Sequence, residues 1–132
     1  MIVNDLIFSL LDIFEGCKLT AYKDTGGVWT IGFGHTGPEV IEGLVWTQDQ
    51  AKAQLSKDTS LLLKVVSQKS NLSIAAQAAY VDFGYNCGIG SLAKVFSGID
   101  QISNPKYCHD MHGNVLSYLQ KRRSLEELLI QL

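Results

Sequence analysis

An α+β fold, with a small β-hairpin lobe and a mainly helical lobe, follows from three observations. Apolar residues recur at helical spacing over residues 4–14, strand-like runs flank a Gly-rich turn within residues 20–36, and two capped helical stretches follow, over residues 47–66 and from residue 74. The 132 residues make a single domain long enough to bury a core. Its β-lobe is expected at about 17–46 and its helical lobe at 1–16 and 47–132, with a ligand cleft where they meet.

Each element has a local reason. Leu6, Ile7, Leu10, Leu11 and Phe14 share one broad face, so residues 4–14 read as a helix, with Ile2 or Val3 ahead of a cap at Asn4 or Asp5. Gly16 ends it as a C-cap and leaves Glu15 at the helix end. Ala21, Tyr22 and Lys23 lead into Asp24-Thr25-Gly26-Gly27, and Val28, Trp29, Thr30, Ile31 and Gly32 lead out, the pattern of a β-hairpin whose turn accepts positive φ. Residues 37–46 form a loop marked by Gly37-Pro38 and Gly43. Thr47-Gln48-Asp49-Gln50 is a capping box that starts a helix to about Val66, and the polar residues 68–71 break it. Ser73 caps the next helix, whose Ile74, Ala75, Ala78, Ala79, Val81 and Phe83 make it apolar all round and therefore buried. Gly88 and Gly90 make a turn, residues 92–96 a short helix, and Asn104-Pro105 an N-cap and first-turn pair. Gly113-Asn114 precedes a final amphipathic helix through Leu129.

Composition excludes several classes. Hydrophobic residues at 46% and charged residues at 18% describe a globular chain rather than a disordered one. No apolar run approaches the ~20 residues of a membrane helix, and the apolar N-terminus lacks a basic start and carries Asn4, Asp5 and Asp12, unlike a signal peptide or anchor. No membrane insertion, nucleic-acid partner, cofactor or metal is expected. Of the three cysteines, Cys17, Cys87 and Cys108, at least one is unpaired, and all read as reduced thiols of a cytoplasmic protein. Cys17 lies close to Glu15 and is a conceivable nucleophile, but no base is placed for it. His109 and His112, three apart, fit a structural or solvent-facing pair on one helix face better than a zinc site.

The chemistry concentrates in residues 15–37. Glu15 ends a helix and Asp24 sits at a hairpin turn, so two carboxylates come from different elements. Facing one cleft, such a pair suits glycosidic cleavage: one acid protonates the leaving oxygen, and the other stays ionised to activate water or stabilise the oxocarbenium-like transition state.

The run E-G-C-K-L-x-A-Y-x-D-x-x-G-x-W-T-I-G-x-G-H-T, from Glu15 through Tyr22, Asp24, Thr30, Ile31, Gly32, Gly34, His35 and Thr36, resembles the signature of the bacteriophage-type lysozymes, the endolysin muramidases that cut peptidoglycan. Residues 47–58 resemble that family's helix after the hairpin lobe, residues 77–92 its central helix, and residues 119–129 its Arg-Arg C-terminal helix. The likeness is weakest over residues 93–117, where family members usually carry a longer, Trp-bearing segment. The tryptophans here are Trp29 and Trp46, so the C-terminal lobe reads as shortened.

The resemblance implies a lysozyme-like fold and a muramidase acting on the β-1,4 bond between N-acetylmuramic acid and N-acetylglucosamine, causing host-cell lysis. It makes Glu15 the general acid, with a pKa raised by partial burial, Asp24 the second carboxylate, and Thr30 the holder of the attacking water. Thr36, Phe83 and Asn86 become substrate contacts. His35 reads as structural, bonded to backbone or to Asp24, and Gly32 and Gly34 as letting backbone approach the sugar or the neighbouring lobe. Tyr22 and Trp29 either stack on sugars or cover the small lobe's core, and core is favoured. The enzyme is expected to be a monomer, with a dimer that covers the shortened C-terminal half as the alternative. It is made in the host cytoplasm and, by the same resemblance, released to the wall through a holin lesion. The net charge of −2 departs from the basic character of many wall enzymes. Lys121, Arg122 and Arg123 form the one dense basic cluster, which is a solvated or salt-bridged face, a patch for anionic wall groups, or the source of an arginine paired with Asp12 or Glu15. Two other functions stay open: a catalytically weak peptidoglycan-binding or regulatory remnant, and a lytic transglycosylase, which needs one acid and no water.

Overall fold

The computed structural model describes residues 2–69, 71–110 and 112–132; Ser70, in the polar break after the second long helix, lies outside them. In chain order the elements are α1 (Ile2–Glu15), β1 (Lys18–Lys23), β2 (Trp29–Gly32), β3 (His35–Thr36), α2 (Gln48–Ser67), α3 (Ile74–Cys87), α4 (Ile89–Phe96), a 3-10 turn (Pro105–Cys108) and α5 (Ser117–Ile130). The α+β reading holds. The chain divides into two compact units, one of Phe8–Leu61 and one of Met1–Ile7 with Leu62–Leu132, and the boundary falls inside α1 and inside α2.

The Phe8–Leu61 unit holds a three-stranded antiparallel sheet in the order β1-β2-β3. Its third strand, only two residues long, went unread in the sequence, because such a strand has no alternation to show. Phe33-Gly34 turns the chain from β2 to β3, which pair Thr30 with Thr36 and Ile31 with His35. The loop after β3 folds back on β1: Ala21 donates its N–H to the Leu44 carbonyl at 2.9 Å, and Trp46 donates to Leu19 at 2.8 Å. Ile31, Phe33, Val40, Ala51 and Leu55 are buried here.

Gly32 is fixed by its surroundings. Its φ is +67°, and a Cβ built there would lie 3.0 Å from Trp46 Cζ3. The close approach sequence reading assigned to a sugar or the neighbouring lobe is thus made by Trp46. Left-handed backbone costs an L-residue about 1–2 kcal/mol, so Gly32→Ala is expected to lose at least that much stability. A urea titration checks this, and an unchanged midpoint would show that the backbone relaxes and Trp46 moves aside.

In the other unit α3 packs against α4 and α5. Its burial runs round the helix, taking in Ala76, Ala78, Ala79, Val81, Asp82 and Phe83, as its composition required. The caps at Thr47, Ser73 and Asn104 form as read. Thr47 and Gln50 exchange bonds, Thr47 N–H to Gln50 Oε1 at 2.8 Å and Gln50 N–H to Thr47 Oγ1 at 3.1 Å. Ser73 Oγ accepts from the Ala76 N–H at 3.0 Å, and Asn104 Oδ1 from the Lys106 N–H at 3.1 Å. Three readings need correcting. α1 starts at Ile2 rather than after a cap at Asn4 or Asp5, and Asp5 instead places an acid in its first turn, where the helix dipole favours it. α4 begins at Ile89 and takes in Gly90, which has no turn role. His109 bridges to Val115 and His112 lies in a turn, so the two share no helix face.

Candidate functional site

Glu15 is the last residue of α1 and is half-buried. The helix stops there because Gly16, at φ +69°, turns the chain while its N–H still reaches the Asp12 carbonyl at 3.0 Å. Asp24 follows β1 and is exposed, and backbone aims its carboxylate. Oδ1 accepts from the N–H groups of Gly26 at 2.8 Å and Val28 at 2.9 Å. Thr30, on β2, is 4% exposed, and its hydroxyl donates to the Val28 carbonyl at 2.9 Å. One peptide unit on each side of Val28 therefore holds a member of the site: the N–H fixes Asp24 and the C=O fixes Thr30. Sequence reasoning missed Val28, since an exposed β-branched residue leaving a turn gives no signal of a role played by its backbone.

Strand register sets the next layer. Tyr22 pairs with Thr30, and Thr30 with Thr36, so the three form a row on one face of the sheet. Tyr22 is half-buried, with the Lys18 ammonium 4.3 Å from its ring centroid. Burial, and then the charges of Glu15 and Asp24, push the Tyr22 phenol above its ordinary pKa. The phenol thus stands in the field of both predicted carboxylates, which ties Glu15, Asp24, Thr30 and Thr36 to one region of this unit. Trp29 is half-buried, with Lys23 Nζ 5.5 Å from its ring centroid.

His35 is structural, but with other partners than predicted. Nδ1 lies 2.6 Å from Asp58 Oδ2 and Nε2 2.6 Å from Glu39 Oε1, while Gln54 donates to the other Asp58 oxygen at 2.9 Å. It therefore fastens the loop after β3 to α2 rather than bonding backbone or Asp24. A neutral imidazole has one N–H, so serving two carboxylates takes the charged ring. Burial opposes that charge, but the bonds to Glu39 and Asp58 outweigh it and raise the His35 pKa above 6.5. A raised folded value means stabilisation that is complete below about pH 6.5 and lost as pH climbs through the folded pKa. The melting temperature is expected to fall over that range, and less so in His35→Asn; parallel curves for the two proteins would refute the link.

Cys17 is a free, half-buried thiol. Its thiol faces Gln48 Oε1 at 3.8 Å, and burial and then Asp12 raise its pKa, away from the thiolate.

The remaining predicted residues lie in the second unit. Phe83 needs correcting as a substrate contact: it is 0% exposed, its ring edge-on to Tyr107 at 4.9 Å and 5.0 Å from the Arg123 guanidinium carbon. α3 buries that position because it is apolar all round, and Tyr85, two residues on, is an aromatic with accessible surface. Asn86 is exposed, and its Oδ1 accepts from Arg123 Nη2 at 2.8 Å.

Of the basic cluster only Lys121 is exposed, and the two arginines form no surface patch. Arg122 and Arg123 are each 1% exposed. Arg122 donates to both Asp82 oxygens, each at 2.9 Å. Arg123 Nε lies 2.9 Å from Glu126 Oε1 at ion-pair distance, without a directed hydrogen bond. Two guanidiniums at i and i+1 on an amphipathic helix would ordinarily straddle the surface; here the Asp82 carboxylate takes Arg122, and Asn86 Oδ1 and Cys87 Sγ accept from Arg123. Among the described residues no group of three or more His, Cys, Asp or Glu side chains is placed to share a metal ion.

The family model described as phage lysozyme matches residues 12–126. The chain belongs to the phage lysozyme family. It is 36% identical over 129 residues to the endolysin of Lactococcus phage c2, covering 89% of this chain and 55% of that protein. It is 27% identical over 125 residues to the SAR-endolysin of Bacteriophage PS34, covering 87% and 75%. A SAR-endolysin of Enterobacteria phage PA-2 matches at 33% over 82 residues, and there the chain spans half of the relative's length. Among solved structures, the active form of P1 phage endolysin Lyz superposes with a TM-score of 0.78 at 22% identity, covering 98% of this chain and 85% of that one. The muramidase domain of SpmX from Asticaccaulis excentricus gives 0.76 at 26%, covering 97% and 95%.

Proposed function

We propose that this phage lysozyme family member is a muramidase that hydrolyses the β-1,4 bond between N-acetylmuramic acid and N-acetylglucosamine in peptidoglycan and so lyses the host cell. The observation that carries the reading is the Glu15–Tyr22–Asp24–Thr30 arrangement: an acid at a helix end, a carboxylate aimed by two backbone N–H groups, a hydroxyl fixed through the same Val28, and a phenol in the field of both acids. Glu15 protonates the glycosidic oxygen. Asp24 stays ionised and orients the water that Thr30 helps to hold, the Thr30 oxygen keeping acceptor capacity while its proton is committed to Val28. Thr36 and Asn86, both exposed, serve as glycan contacts. Support for this comes from family membership and from relatives named endolysin.

The test is clearing of outer-membrane-permeabilised Gram-negative cells, with mass spectrometry of the released fragments. Hydrolysis yields reducing ends one water heavier than the anhydro ends of a transglycosylase. Anhydro products would replace the hydrolase reading, and no cleavage by folded protein would leave a wall-binding remnant. No helix among the described residues is long and apolar enough to cross a membrane. For release we retain the holin route, tested by whether lysis in a host expressing the chain requires a co-expressed holin.

A further inference from the structure

A pocket of about 400 Å³ opens in the second unit, lined by Asn86, Ser91, Lys94, Lys106, Tyr107 and His109 among others. Four of these six fall within residues 93–117, on the stretch from α4 to the 3-10 turn and just past it. Its chemistry is lopsided towards donors. Lys94 and Lys106 bring ammonium groups, and Ser91 and His109 bring an O–H and a ring N–H. Asn86 has its NH2 group to give, because its Oδ1 is taken by Arg123 Nη2 at 2.8 Å. Behind this wall Arg123 Nη1 lies 2.6 Å from Cys87 Sγ, and its charge is shared with Glu126 Oε1 2.9 Å from Nε. The adjacent carboxylate is already engaged and is not part of the lining: Asp100 Oδ2 lies 2.6 Å from Lys106 Nζ and accepts from the Tyr107 hydroxyl at 2.6 Å. An ammonium has three N–H groups, so Lys106 keeps donors for a second acceptor.

We infer that this pocket binds a small oxyanion-bearing group of the wall polymer, a carboxylate of its peptide stem or a phosphate of a wall-attached chain. Convergent donors facing a concave surface with no lining acid are what such a group requires, and the volume suits a fragment rather than a whole glycan strand. A locally cationic pocket also answers how a chain of net charge −2 meets an anionic substrate without a global positive field. The inference rests on the peptidoglycan reading above.

The experiment uses the full chain carrying Glu15→Gln, so that nothing is turned over, and follows its backbone amide signals by NMR. Three probes are titrated: a soluble disaccharide-tetrapeptide, glycerol phosphate, and uncharged chitotetraose. Signals of Ser91, Lys94, Lys106 and His109 are expected to move with the first or second probe, which names the source, and not with the third. Lys94→Gln together with Lys106→Gln is expected to weaken that binding about tenfold or more, equivalent to about 1.4 kcal/mol. Lys94→Gln alone, which leaves the Lys106–Asp100 pair in place, is expected to act in the same direction. Silence with both anionic probes, or variants that bind like the parent, would overturn the pocket. Wild-type clearing that Glu15→Gln abolishes, alongside silent probes, would leave the muramidase reading standing without it. Bound oxyanion with no wall cleavage would do the reverse.

Discussion

Glu15→Gln is expected to slow wall clearing by about 10²–10⁴-fold, the usual worth of a positioned general acid, while the circular dichroism spectrum and a cooperative melt are retained. The amide keeps the shape of the side chain and the helix end set by Gly16, but has no proton to give the leaving oxygen. Asp24 supplies the contrast. Asp24→Asn keeps a carbonyl oxygen for the Gly26 and Val28 N–H groups and so keeps the turn, yet loses the charge. Asp24→Ala loses both the charge and the acceptor of those two bonds. The Ala variant should therefore lose stability as well as rate, and the Asn variant mainly rate. Undiminished clearing by Glu15→Gln would remove Glu15 from the acid's role.

The second large effect lies in the core of the helical unit. Asp82 and Arg122 are 0% and 1% exposed and share two hydrogen bonds at 2.9 Å. Asp82→Ala takes from buried Arg122 the carboxylate that accepts two of its hydrogen bonds, so it is expected to cost about 3–5 kcal/mol in a denaturant titration. Replacing both, Asp82→Leu with Arg122→Met, is expected to recover much of that loss, because an apolar pair has no desolvation to offset. Equal losses in the single and double variants would show that the pair itself stabilises the fold. Glu126 completes the network. Burial first, and then the Asp82 carboxyl, push the Glu126 carboxyl up from 4.5 to about 10. With the folded value above the unfolded one, the protein binds more protons folded than unfolded between those limits. Stability is then highest on the acid side and declines as pH rises towards the folded pKa. His35 contributes with the same sign, so the two are separated by variants: Glu126→Gln should flatten the decline from about pH 5 to about pH 9. An unchanged slope would mean that Glu126 is ionised in the fold.

Much of this was legible because the signals are local. Backbone groups next in sequence decide helix caps, so Thr47–Gln50, Ser73, Asn104 and Gly16 could be placed from residue type alone. Side-chain period separates strand from helix, which gave the hairpin and the all-round burial of α3. The Glu15–Asp24–Thr30 motif was legible as a sequence pattern too, because those residues lie on consecutive elements.

Partner choice across long separations was not legible. Nothing near His35 in sequence announces Asp58, and nothing near Arg122 announces Asp82, 40 positions away. A charged side chain in isolation prefers water, so a surface face stands among the sequence readings of the Arg-Arg pair; the structure buries it with Asp82 brought in from α3 and Glu126 from the same helix. Phe83 and Tyr85 are both aromatic and two residues apart, and only packing decides which one the core takes. Local chemistry by itself set most of the elements and the hairpin turn, and pointed to the candidate acids. Tertiary structure decided which charges are buried, which aromatic keeps accessible surface and which peptide units hold Asp24 and Thr30, because burial is a property of neighbours that the chain brings together only on folding.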